Sequence, residues 1–348
     1  MINGHGDDAY RYGRQIRYNF SSNVFGRANI DRLKEHLCRC MDRIGSYPEP
    51  EPYTLEAAIA KLKSLRPEEV SVTNGATEAI YLIAQTFSGL EVAILQPTFS
   101  EYADACSMHN CKTRAIYTLP DKDSGFLLPH GIEMLWLCNP NNPTGKVYEL
   151  EQLRKLVENN PDVIFVIDQS YEAFTLEETF TAKEAAGYKN LLLLHSMTKR
   201  YAVPGIRLGY ITGDSSLLLS LRKNRMPWSV NRLAVEAGIY LVEHPTEAAI
   251  DMQSYLSEAQ RLRSMLNGLR GVDVAPTQTH FMLARLNSGK AAVLKEYLAR
   301  QHGILIRDAS NFEGLDERYF RVAAQTPQEN DKLVESIAGW LYDNLVTD

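Results

Sequence analysis

A chain of 348 residues exceeds what one compact core usually fills, and 45% hydrophobic with 23% charged residues is ordinary globular composition. The formal net charge of -6 argues against a general nucleic-acid or anionic-membrane partner, both of which select a basic face. It leaves acidic small substrates open, because a pocket can be cationic inside an acidic protein. No stretch approaches the roughly 20 apolar residues that span a bilayer, and the polar start MINGHGDDAYRYGRQ lacks the apolar core of a signal peptide. The expectation is a soluble, cytoplasmic protein. The five cysteines form an odd count without framework spacing, and Cys38 and Cys40, two apart in a helical-looking run, face different ways. Reduced structural thiols and no metal centre are expected.

In chain order, residues 1–30 have little period and read as an arm whose polar groups find partners elsewhere, in a smaller domain and at the active site. A helical stretch, IDRLKEHLCRCMDRIG, ends at Gly45 and runs into the turn-rich SYPEPEPY. Short apolar runs then alternate with helical patterns: EVSVTNG and ATEAIYLIAQTF, EVAILQP and TFSEYADACSMH, MLWLCNP, DVIFVIDQS, NLLLLHSM and IRLGYIT. Apolar runs of this length between helices argue for a largely parallel sheet covered on both faces, an α/β architecture. Past about residue 235 come long helices (LAVEAGIYLVEH, EAAIDMQSYLSEAQRLRSMLNGL) and short strands around HFMLARL, ILIRD and RYFRVAA. The division expected is a large domain over 31–235 and a small α+β domain over 236–348.

Ligands on such sheets bind beyond the carboxyl ends of the strands. The residues there are Asn74-Gly75-Ala76-Thr77, the loop NPNNPTG (Asn139 to Gly145), Asp168, and Ser196-Met197-Thr198-Lys199. Asp168 closes the apolar run VIFVI, where an ionised carboxylate is costly without a positive partner; the alternative is a cap for the next helix. Gly75, Ala76 and Thr77 open a helix directly after a strand, where free N–H groups and the helix dipole favour an anion. NPNNPTG alone is merely a good turn sequence. Lys199 follows the apolar LLLLHS, so a solvated surface position is the poorer reading.

NPNNPTG, the strand-ending Asp168, and SMTK followed by PGIRLGY together resemble the class I/II aminotransferase family of fold-type I pyridoxal phosphate (PLP) enzymes, over essentially the whole chain. The resemblance implies a large domain with a mostly parallel seven-stranded sheet and a smaller α+β domain. It implies PLP held by Lys199 as a Schiff base, which needs a neutral amine that burial beside a cation can supply. Asp168 would meet the pyridine nitrogen, and Asn142 and Tyr171 the phenolate oxygen. Gly75, Ala76, Thr77, Ser196, Thr198 and Arg207 would hold the phosphate, with Arg207 adding a bidentate grip. Tyr102 matches the aromatic that stacks on the ring, with core packing as the competing reading. Tyr47 matches a tyrosine that reaches the phosphate of a neighbouring subunit, which implies a homodimer with shared active sites. Where relatives commonly read D-E-A-[YF], this chain has Asp168-Gln169-Ser170-Tyr171. The neutral Gln169 is therefore expected to remove a charge near the site.

For the substrate, Arg321 matches the arginine that pairs with an α-carboxylate, and Arg307 one that binds a distal phosphate; for each, a surface strand charge is the alternative. Two subgroups share this pattern, L-threonine-O-3-phosphate decarboxylase and histidinol-phosphate aminotransferase. The first resembles this chain more closely, through His5-Gly6, Asn23, the string RMPWSVN and ILIRDASNFEGLDERYFRVA. It implies decarboxylation of threonine phosphate in cobalamin side-chain synthesis, with His5, Asn23, Arg307 and Arg321 around the substrate. Which bond breaks is an ångström-scale matter of which substituent stands perpendicular to the imine plane, and sequence leaves it open. A catalytically silent PLP-binding regulatory module is the reading from another class; this chain has no spare length or basic patch for the DNA-binding segment such modules carry.

Overall fold

The structure, a computed structural model, describes residues 6–246 and 249–345. Seven strands form the large sheet: β1 Val70–Thr73, β2 Glu91–Leu95, β3 Lys112–Ile116, β4 Met134–Cys138, β5 Ile164–Asp168, β6 Leu191–Ser196 and β7 Gly209–Gly213, in the order β1-β7-β6-β5-β4-β2-β3. The five from β6 to β3 are parallel to one another, and β7 runs antiparallel to both its neighbours. The α/β fold with a mostly parallel seven-stranded sheet is as expected.

The apolar runs become strands because alternate side chains feed two cores. Met134, Trp136, Val166, Leu192 and Leu194 join one; Leu135, Leu137, Phe165, Ile167, Leu191 and Leu193 join the other. Helices α1 Asp31–Arg39, α2 Tyr53–Lys63, α3 Gly75–Thr86, α4 Glu101–Met108, α5 Leu150–Asn159, α6 Met197–Arg200 and α7 Arg232–Glu243 accompany this sheet. α3 and α4 contribute Ile80, Ile83 and Tyr102 to the first core, and α5 contributes Leu153 and Leu156 to the second.

A second, antiparallel sheet is built from β8 Val272–Val274, β9 Phe281–Leu286, β10 Arg307–Asp308 and β11 Tyr319–Ala323, in the order β10-β11-β9-β8. It is flanked by α8 Met252–Asn267 and α9 Pro327–Leu345. The arm joins this layer. Tyr18–Asn19 pairs in parallel with Ile304–Leu305, Ala323 donates its N–H to Phe20, and the buried Asp8 carboxylate lies 2.6 Å from Lys295 Nζ.

Several elements differ from the sequence reading. α1 stops at Arg39 and tightens into a 3₁₀ turn over Met41–Gly45. β3 was not foreseen, because it is an edge strand whose first three residues, Lys112, Thr113 and Arg114, are exposed and leave no apolar run. α8 begins at Met252, where the Asp251 side chain accepts from Ser254 N–H. α7 spans the boundary expected between 235 and 236, and its main helix partners are α1 and α2. The five thiols are free, with only Cys38 exposed. No helix among the described residues is long and apolar enough to cross a membrane.

Candidate active site

Parallel pairing sets Cys138 beside Asp168 and Asp168 beside Leu194, so the ends of β4, β5 and β6 meet at one rim. Past that rim lie two adjoining cavities of about 120 and 210 Å³, which share Phe99, Asn142, Tyr171 and Lys199.

The smaller cavity could hold an anion at one end and presents a carboxylate at the other. Ala76, Thr77, Ser196, Thr198 and Arg207 line it, with the first turn of α3 supplying unpaired backbone donors. Gly75 sits at φ +80°, and a Cβ there would lie 2.7 Å from an Arg207 Nη, so the missing side chain lets the guanidinium rest on the helix start. Gly209 acts likewise: a Cβ would lie 2.7 Å from Ala76 N, so β7 packs directly under α3.

At the opposite end Asp168 is buried, accepting from the Tyr102 hydroxyl (2.7 Å) and from Ser170 N–H (2.8 Å). Among the described residues no cationic side chain forms an ion pair with it, so the cavity offers a buried carboxylate that lacks a positive partner. Lys199, on α6, faces this space. Burial, then Arg321 and Arg207, lower its amine to about 8, against the pull of Asp168 and Asp7.

Tyr102 departs from its expected role. Its fully buried ring stacks on Trp136 at 5.1 Å while its hydroxyl is tied to Asp168. The aromatic that borders both cavities is Phe99, which sequence reasoning missed; its position two residues past Pro97, at the end of β2, was the available signal. Gln169 also lies outside both cavities, buried and donating from Nε2 to the Phe180 carbonyl.

The larger cavity is cationic. Arg307 on β10 and Arg321 on β11 are direct cross-strand partners, both buried. Burial lowers each to about 10, with Arg321 adding to the effect on Arg307. Like charges set opposite one another in a sheet are destabilising, so the pair is a standing demand for anions. Arg321 donates to Asn142 Oδ1 and the Ser21 carbonyl, leaving its Nε unpartnered, and Arg307 donates to Asn311 Oδ1 at 2.7 Å. Asn23 is buried in the same wall; its amide lies beside the Tyr171 phenol without a well-formed hydrogen bond. Burial pushes Tyr171 up to about 12, so its hydroxyl keeps its proton.

Behind Asn23 stands His280, also missed from sequence. It is held neutral by burial, at about 3, and its Nε2 lies 3.2 Å from the Asn23 carbonyl. The neutral ring donates that proton to the carbonyl and so fixes the segment carrying Asn23. Of the described residues given a cofactor or substrate role from sequence, Tyr47 is the remote one. It is 84% exposed and set against Trp228 at 5.6 Å, beside the exposed Ile44. His5 lies outside the described residues.

A family model described as aminotransferase class I and II matches residues 18–337. The crystal structure of L-threonine-O-3-phosphate decarboxylase from Porphyromonas gingivalis is 38% identical, with a TM-score of 0.90 over 93% of this chain and 99% of that one. The histidinol-phosphate aminotransferase of Methanocaldococcus jannaschii is 27% identical over 87% of this chain and 84% of its own length. The histidinol-phosphate aminotransferase of Sinorhizobium meliloti, solved in complex with pyridoxal-5'-phosphate, shares the fold at TM-score 0.83 and 17% identity over 99% of this chain and 96% of that one.

Proposed function

The chain belongs to the class I and II aminotransferase family, and from that premise we propose that it is a PLP enzyme that decarboxylates L-threonine O-3-phosphate, the step that serves cobalamin side-chain synthesis. The cofactor fits the residues present. The Gly75–Arg207 cradle and the start of α3 suit its phosphate, and the unpaired Asp168 suits a protonated ring nitrogen. Lys199 supplies the amine that holds it, with Asn142 and Tyr171 toward the phenolate oxygen and Phe99 bordering both cavities. When bound, PLP supplies an electron sink for a bond broken at the substrate's α-carbon.

The observation that carries the substrate is the opposed pair Arg307 and Arg321. A substrate with both a carboxylate and a phosphate satisfies both cations at once; histidinol phosphate has no carboxylate, and the aminotransferase subgroup, which shares the pair, fills both only with a dicarboxylate such as 2-oxoglutarate, so the 38% identity to the decarboxylase supports the first reading. Arg321 binds the carboxylate, and Arg307, with Asn23 and His5, binds the phosphate. The Cα–carboxylate bond breaks and CO2 leaves. Lys199 then delivers a proton to Cα, giving an aminopropanol phosphate. We also propose that a second copy of the chain completes each site with Tyr47, which is exposed together with Ile44 and Trp228.

The test is a panel of phosphorylated amino acids and amines, with CO2 and keto product scored separately. CO2 from threonine phosphate, at one equivalent per amine formed, is expected. If no CO2 appears while 2-oxoglutarate supports amino transfer from histidinol phosphate, the aminotransferase reading takes its place.

A further inference from the structure

Two polar residues adjoin the cofactor-binding residues in sequence yet face away from the cofactor cavity. His195 precedes Ser196 on β6, and Glu172 follows Tyr171 on the loop beyond β5. Successive side chains on a strand point to opposite sides, so Ser196 reaches the cofactor cavity while His195 points behind it. Both residues line a separate cavity of about 470 Å³ that shares only Ser170 and Ser196 with the smaller cavity of the active site.

The contact between them joins two pieces of the site. His195 Nδ1 lies 3.2 Å from Glu172 Oε1, and its Nε2 lies 3.0 Å from Thr212 Oγ1 on β7. The ring is 2% exposed and stacks on Tyr210, at 4.5 Å, so its orientation is fixed from β7. The Tyr171 loop leaves the sheet after Gln169, whose N–H donates to the Leu194 carbonyl. Beyond that point, Glu172 is the loop side chain that bonds back to β6, the strand leading into Lys199.

We propose that Glu172 and His195 are positioning residues: their contact fixes the Tyr171 hydroxyl relative to Lys199, and so sets the acidity of the group that Lys199 forms with the cofactor. This rests on the PLP reading above. The physical route is short. A hydroxyl that donates to the phenolate oxygen stabilises the deprotonated form, so any slack in the Tyr171 loop weakens that donation and raises the titration midpoint. Glu172 can hold the loop because it stays charged. Burial opposes ionisation, but His195, Lys63 from α2 at 4.0 Å and Arg200 from α6 outweigh it and hold the carboxyl at about 2. The other titratable groups facing the pair are Tyr201 and Tyr210, both raised by burial and therefore neutral.

The experiment is a pH titration of the visible absorbance of the holoenzyme. Glu172→Gln and His195→Gln are each expected to raise the midpoint by about half a pH unit or more, in the direction taken by Tyr171→Phe. In a Tyr171→Phe background, Glu172→Gln is expected to add nothing, since the effect runs through that hydroxyl. Thr212→Val, which removes only the Nε2 partner, gives a smaller shift of the same sign and remains informative if the other variants fold poorly. Unmoved midpoints in Glu172→Gln, His195→Gln or, where those fail to fold, Thr212→Val overturn the proposal. So does a Glu172→Gln shift that persists undiminished without the Tyr171 hydroxyl. Failure of the cofactor reading itself looks different: the wild-type protein would then show no cofactor absorbance.

Discussion

At Lys199 burial and two nearby arginines act together, and their combined effect is measurable. With the amine lowered to about 8 from the ordinary 10.5, the cofactor-free protein attacks an aldehyde more readily as pH rises through 8, so the rate of PLP uptake should climb and level off above it. The linkage has a definite sign. The folded state holds this proton less tightly than the unfolded chain, so a stability penalty is fully present below pH 8 and is relieved between 8 and 10.5. Denaturant midpoints of the cofactor-free protein should therefore rise over that interval, and Lys199→Met should remove the Lys199 part of the rise. Lys199 itself was legible because an apolar strand precedes it and a motif surrounds it. Phe99 and His280 were not, since their importance lies in which cavity wall or carbonyl they meet.

Among the elements, the start of α3 shows how little of an anion site depends on side chains. Gly75→Ala would demand a side chain at φ +80° and place its Cβ 2.7 Å from Arg207. The expected result is at least about a tenfold loss of PLP affinity, roughly 1.4 kcal/mol, with the fold retained by circular dichroism; unchanged affinity would show that Arg207 does not need the cradle. The helix and strand that make this corner were visible as EVSVTNG and ATEAIYLIAQTF, since buried strands and amphipathic helices declare themselves by period. β3 was invisible for the converse reason, its exposed edge carrying Lys112, Thr113 and Arg114. The string RMPWSVN, distinctive in sequence, lies away from the cavities: Arg225 makes a buried pair with Glu56 at 2.9 Å, and Asn231 caps α7.

At the scale of the whole molecule, the two layers are useful only together. The smaller cavity belongs to the ends of the large sheet, while the larger one needs Arg307 and Arg321 from the small sheet and Asn23 from the arm. The proposed second copy is tested by mixing subunits. Tyr47→Ala and Lys199→Ala proteins, each inactive or nearly so alone, should regain activity when refolded together, because a hybrid dimer has one site with both groups intact. No recovery in verified hybrids would remove Tyr47 from the site. Lys199, Asp168, Asn142 and the start of α3 were legible because each closes its strand or follows it within a few residues, and local order is enough to place it. Packing alone sets the Tyr102 hydroxyl on Asp168, Arg307 opposite Arg321, and Glu172 against His195. Those relations join residues from different strands and layers, and their distances are set by packing that no local pattern encodes.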